Sequence, residues 1–228
     1  MSEGGLRERV EAVRVAIREA CVRGGRSEHD VQLLAASKKK SPEAIEEAYA
    51  CGLDLFGESR VQEARQKIPL CPGRIAWHFI GHLQTNKARE AVSLFECIHS
   101  ADSLRLLQAL DACADEEGRR MRAFLEINVA GEGSKTGVPP DAAPGVLEAA
   151  RGLARVEIVG LMAIPPFTPK AEGARPHFAA LRVLRDRLRA QTGYALEQLS
   201  MGMSHDYPVA IEEGSTCVRI GRALFGER

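Results

Sequence analysis

The chain has 228 residues, with 31 Lys plus Arg against 31 Asp plus Glu, so its formal net charge is zero. It is 45% hydrophobic and 27% charged, which excludes the apolar-poor, highly charged composition of a disordered chain. The neutral balance argues against a nucleic-acid binder, no apolar run reaches the roughly 20 residues of a membrane helix, and the first residues lack an apolar signal core.

Glu3–Arg23 sets Leu6, Val10, Val13, Ile17 and Cys21 at helical spacing and predicts an extra helix that closes the bottom or side of the fold. The first strand is expected at Gln32–Ser37. Ser41 and Pro42 then supply a helix cap and a first-turn proline, and Gly52 a stop. Strands follow at Leu53–Gly57, Trp77–Gly81 and Glu96–Ser100. Ser103 opens a helix with Leu104, Leu107 and Leu110 inward, ended by Gly118. A strand at Ala123–Val129 leads to a glycine-rich loop, Gly131–Gly137, which fails the P-loop pattern because Ser134 stands where glycine must precede the lysine. After a strand at Ile158–Ile164 comes a helix with Phe178, Leu181, Leu184 and Leu188 on one face, stopped by Gly193. Its arginines 182, 185, 187 and 189 read as a solvated face. Strands at Gln198–Gly202 and Cys217–Gly221 complete the set.

These eight runs are apolar on both faces, as parallel strands covered by helices must be. Eight strand–helix repeats predict a single (β/α)8 TIM barrel spanning residues 1–228, with the extra helix at its N-terminus. A doubly wound open sheet is the weaker alternative, because no glycine-rich turn follows the first strand. The six cysteines form no C-x-x-C pair and read as reduced thiols of a cytoplasmic protein. His78 and His82 lie four apart, but across a strand and its turn, which is poor metal-ligand spacing.

In such a barrel the functional face lies where strands end. Lys38 follows the first strand, so its stem is expected to be enclosed and its amine to reach the mouth. Desolvation there would favour the neutral, nucleophilic amine. The last quarter groups Ser200-Met201-Gly202-Met203-Ser204, Gly214-Ser215-Thr216 and Arg219 with Gly221 and Arg222, small and hydroxyl residues suited to an anion beside a barrel's seventh and eighth strands. Arg219 within a strand needs an acceptor, which a ligand or a carboxylate would supply.

The stretches Leu33–Lys38, Phe56-Gly57-Glu58 with Val61-Gln62-Glu63, Trp77–Gly81 with Leu83–Lys87, Gly160–Pro165, Ser200–Ser204 and Gly214–Gly221 together resemble the pyridoxal phosphate homeostasis proteins, a family also described as proline-synthase co-transcribed or alanine-racemase-N-terminal-like. The resemblance covers nearly the whole chain. It implies a barrel that binds pyridoxal 5′-phosphate (PLP), with Lys38 carrying the imine link and Arg219 facing the pyridine nitrogen. It implies phosphate contacts from Ser200, Ser215, Thr216 and the Gly221 backbone. It also implies a cytoplasmic, monomeric protein of PLP homeostasis, without turnover, for which PLP-dependent apoenzymes are the candidate partners. The alternative is a racemase-like PLP enzyme. That reading is disfavoured because 228 residues leave no room for a second domain, and because only Tyr207 lies near a strand end to serve as an opposing base. Two positions depart from the family pattern. Ser59 replaces a frequent asparagine and loses an amide, and Arg222 replaces a small hydroxyl residue.

Overall fold

A computed structural model describes residues 5–131 and 136–226. Eight parallel strands close into a barrel in sequence order. They are β1 (Gln32–Ala36), β2 (Leu55–Glu58), β3 (Ala76–Phe79), β4 (Cys97–Ala101), β5 (Met121–Glu126), β6 (Val156–Met162), β7 (Gln198–Met203) and β8 (Cys217–Ile220). The seam pairs Gln32 with Cys217 and Leu34 with Arg219. The expected strands all exist, with ends moved by up to three residues. The shift at β5 matters most: the strand ends at Glu126, not Val129, so Glu126 stands at its exit.

Nine helices lie among the described residues: α1 (Leu6–Arg23), α2 (Pro42–Ala50), α3 (Val61–Lys67), α4 (Ala88–Leu94), α5 (Leu104–Glu116), α6 (Ala143–Ala149), α7 (Arg175–Thr192), α8 (Tyr207–Glu212) and α9 (Arg222–Phe225). Their starts and stops follow local chemistry. Ser41 accepts from the Ala44 amide and Ser103 from the Leu106 amide, satisfying donors a helix start leaves unpaired. Gly193 ends α7 in the left-handed region, at φ 72°, where a Cβ would be strained.

The outward faces of the strands pack under the helices in one apolar layer that includes Phe56, Phe79, Ile98 and Leu199 from the barrel and Ile45, Leu107, Leu147 and Phe178 from α2, α5, α6 and α7. Helix α1 closes the side of the barrel by packing on α8 and α9. There Arg23 pairs with Glu212 at 2.6 Å and Arg9 donates to the Leu224 carbonyl at 2.7 Å. Arg182 of α7 pairs with Glu213 at 2.9 Å, so one of the four arginines expected to face solvent instead ties helices together.

The inward faces correct the expectation of strands apolar on both sides. Two small apolar clusters, Leu34, Ala36, Leu55 and Cys217 on one side and Cys97, Phe124 and Met162 on the other, fill only part of the interior. His78, His99, Ser200 and Arg219 fill the rest, all buried. A barrel interior is ordinarily a layered apolar core; a polar one must satisfy its own hydrogen bonds. The glycine-rich loop noted above lies partly outside the described residues, at positions 132–135.

Candidate functional site

The strand exits form one mouth, and β1 and β8 meet there as neighbours. Lys38 lies two residues beyond the end of β1 and is exposed, not enclosed. The cause is local. Ser37 turns outward and its hydroxyl donates to Glu58 Oε1 at 2.7 Å. The chain then bends, with Lys39 in the left-handed region at φ 63°, so Lys38 emerges from a turn rather than from the strand.

That turn is pinned from behind by a buried charge cluster. Lys67 Nζ donates to the Ser37 carbonyl at 3.1 Å, to Glu58 at 2.9 Å and to Glu63 at 2.7 Å, and Glu63 accepts from the Lys39 amide. Burial pushes the Glu58 carboxyl above its ordinary range, while hydrogen bonds from Ser37 and Lys67 pull it down. Sequence reading found Glu58 and Glu63 but missed Lys67; its i,i+4 spacing from Glu63 was the available signal.

Arg219 is 5% exposed and points into the barrel. Its Nη1 donates to the Ser200 carbonyl at 2.7 Å and to the Ser200 hydroxyl, and its Nη2 donates to the Ala163 carbonyl at 3.1 Å. All three acceptors are neutral. Burial lowers its pKa, with Glu126 and Asp206 among the groups that oppose this, yet a guanidinium stays charged. A guanidinium has five N–H groups, so Nε–H and one Nη2–H remain beyond these three bonds.

The expected phosphate contacts divide. Gly221 is at the mouth, directly after β8. Its amide and that of Ala223 both donate to the Ser204 hydroxyl, at 3.3 and 3.2 Å. Ser204 was not among the expected phosphate contacts; its place as the first residue after β7 was the signal. Ser200 lies a layer deeper. It is fully buried, with its hydroxyl between Arg219 and His99 Nδ1, the latter at 2.8 Å. Ser215 and Thr216 precede β8 and therefore sit at the strand entrances, about 16–20 Å along the strand from Gly221. Their hydroxyls hold the sheet: Ser215 donates to the Met201 carbonyl at 2.7 Å and Thr216 accepts from the Leu199 amide at 2.9 Å. Adjacency in sequence had placed them at the wrong end of the strand.

Other groups border the mouth. His82 Nδ1 lies 3.4 Å from Asp102. Glu126 is buried and accepts from the Thr136 hydroxyl at 2.7 Å. Burial pushes its carboxyl upward; the Thr136 bond lowers it and the Asp102 charge raises it further. His78 turns to His99, with Nδ1 and Nε2 at 2.9 Å, and not to His82. Burial drives the His78 pKa down to about 3 and that of His99 well below its ordinary value. Among the described residues His78, Cys97 and His99 bring ligand-type atoms within 4.8 Å of one another, with both rings engaged in the hydrogen bonds just given. The tyrosines lie elsewhere. Tyr49 is in α2, Tyr194 stacks beside Arg151, and Tyr207 begins α8, buried in the outer layer.

The donor set fits a small anion that carries an acceptor ring: a buried cation with neutral partners, a lysine at the neighbouring strand exit, and two amides with a hydroxyl beside it.

Residues 19–228 match the family model described as alanine racemase, N-terminal domain, a class of (β/α)8 barrels. The pyridoxal phosphate homeostasis protein of Aquifex aeolicus is 45% identical over 97% of both chains. PipY of Synechococcus elongatus, solved with PLP bound, superposes with a TM-score of 0.81 at 40% identity, over 93% of this chain and all of that one. An alanine racemase of Clostridium difficile shares the fold with a TM-score of 0.74 at 13% identity, over 98% of this chain and 56% of that one. The chain belongs to the pyridoxal phosphate homeostasis protein family.

Proposed function

We propose that this protein holds PLP at the mouth formed by β1 and β8 and contributes to PLP and amino- and keto-acid homeostasis without turning over a substrate. The observation that carries the reading is Arg219: a buried guanidinium whose partners are all neutral, one strand from the exit that bears Lys38. An anionic ligand offsets a buried charge whose direct hydrogen-bond partners among the described residues are neutral. PLP bound here supplies an aldehyde that condenses with amines and a ring that can act as an electron sink. Lys38 would hold the cofactor covalently through its amine. Gly221, Ala223 and Ser204 would bind its phosphate. Arg219 keeps its own proton, so it offers the ring nitrogen a hydrogen bond and not a proton, which weakens the sink.

The non-catalytic reading has further support. Racemisation needs acid–base groups on both faces of a carbanion, and all three tyrosines stand in or against the helix layer. Exposure of Lys38 suits exchange of cofactor with solvent and with PLP-dependent apoenzymes. All six cysteines are free, in keeping with a reducing, cytoplasmic setting, and we expect a monomer.

The test is spectroscopic. Protein mixed with PLP should absorb in the visible, borohydride should fix the label on Lys38, and Lys38→Ala should abolish both. A wild type that takes up no PLP refutes the reading. Incubation with L-alanine in deuterated water should leave the α-proton in place; Lys38-dependent exchange would restore the racemase-like alternative.

A further inference from the structure

Four inward side chains from four strands form one hydrogen-bonded chain: Arg219 on β8, Ser200 on β7, His99 on β4 and His78 on β3. Its direction can be read from one end. A guanidinium has donors only, so Arg219 donates to the Ser200 hydroxyl and Ser200 must place its own hydrogen elsewhere. Its neighbours are His99 Nδ1 at 2.8 Å and the Cys217 thiol. Sulfur is a weak acceptor, so the hydrogen goes to His99 Nδ1. A neutral His99 then carries its proton on Nε2 and donates it to His78 Nδ1 at 2.9 Å, which leaves His78 protonated on Nε2 as well. A fixed cation at one end thus sets both tautomers.

We propose that His99 is a positioning residue for Arg219: acting through Ser200, and with its Nε2 hydrogen received by His78, it braces the Nη1 side of the guanidinium so that the remaining N–H groups face the bound cofactor. The proposal rests on the PLP-binding reading above. The brace is needed because the guanidinium has no ion-pair partner among the described residues to orient it, and a misdirected buried donor loses a hydrogen bond and its desolvation cost together. The chain also explains why the barrel gives up apolar packing at its centre. Burial keeps both rings neutral, with the Arg219 charge adding to it at His99 and the Arg122 charge at both, so the pair serves as a rigid relay of hydrogen bonds and not as an acid.

Two measurements test this. In protein without PLP, nitrogen-15 NMR of labelled histidine should show His78 and His99 as neutral Nε2–H tautomers near pH 7. A His99 ring protonated on Nδ1, or a charged ring, overturns the direction of the chain. In PLP-loaded protein, His99→Phe cuts the chain, whereas His99→Gln keeps one acceptor and one donor. The Phe variant should release PLP about tenfold faster, the equivalent of one hydrogen bond, and shift the absorption maximum of the bound cofactor. The Gln variant should stay within about twofold of wild type. Ser200→Ala cuts the same chain with little change of volume, and stands in for the Phe variant if that one does not fold. A folded Phe or Ala variant with wild-type release and spectrum overturns the positioning role. A wild type that never binds PLP refutes the functional reading alone, and the NMR result still decides the chain.

Discussion

Stability of this protein should fall as pH drops from 7.5 to 5, because two histidines are buried in neutral form. Burial, seconded by the charge of Arg122, takes His78 from 6.5 in the open to about 3 in the fold; His99 moves the same way, again chiefly by burial. The sign follows from proton counting. Between those two values the unfolded chain binds a proton that the folded chain does not, so stability rises with pH. The contribution is complete above about pH 6.5, is lost progressively as pH falls, and stops changing near pH 3.

Each pKa unit is worth ~1.4 kcal/mol. At pH 5 His78 has crossed about one and a half units of its range, a loss of ~2 kcal/mol, with His99 adding to it. Against a folding free energy of about 5–15 kcal/mol that is substantial. Trp77 is the chain's single tryptophan, buried on β3 beside His78, so its fluorescence reports unfolding of the element concerned. Urea midpoints should fall by roughly 1 M between pH 7.5 and 5 for m near 2–3 kcal/mol/M. A double variant, His78→Gln with His99→Gln, keeps donors and acceptors but cannot titrate, and its slope should be much flatter. A wild-type midpoint that stays level, or a double variant with the full slope, would refute the claim that these rings are held neutral.

Lys67→Met should cost about 3–5 kcal/mol in urea unfolding at pH 7, because it strands the Glu58 carboxylate without its buried partner; the loss should shrink at low pH, where protonating Glu58 removes that charge. Gly202→Ala should cost about 2–3 kcal/mol by the same measurement, since Gly202 has φ 94° and an added Cβ would lie 2.6 Å from that of Ala210. Ser103→Ala should lower stability by about 1 kcal/mol, read as a small drop in melting temperature, by removing the α5 cap. Arg219→Gln should leave the fold intact by circular dichroism and accelerate PLP release by about tenfold or more, as removal of a charge-assisted hydrogen bond does.

The barrel was legible because each of its parts is announced locally. The Ser41-Pro42 and Ser103 caps, the Gly52, Gly118 and Gly193 stops and the eight apolar runs are each decided within a few residues. The site was legible only in part. Lys38 and Gly221 follow their strands within two residues, so chain order places them at the mouth. Ser215 and Thr216 precede β8 by the same small interval, and only the direction of the strand separates the two cases. Lys38 itself was expected with an enclosed stem; the contacts that bring it out into a turn involve Lys67, 29 positions away in sequence.

The polar interior was the hardest part to see, for a physical reason. His99 and Ser200 are 101 positions apart, and neither belongs to a repeated polar pattern in its strand, where a single histidine or serine carries no signal. What joins them is that all four chain members take inward positions on their strands, a period-2 property. Once the register is known, they form one layer across the barrel, and that layer ends at the guanidinium. The same arrangement is what the proposed holding role asks for. Charge is fixed at Arg219, the hydrogens behind it are committed one by one, and Lys38 stands exposed at the neighbouring strand exit.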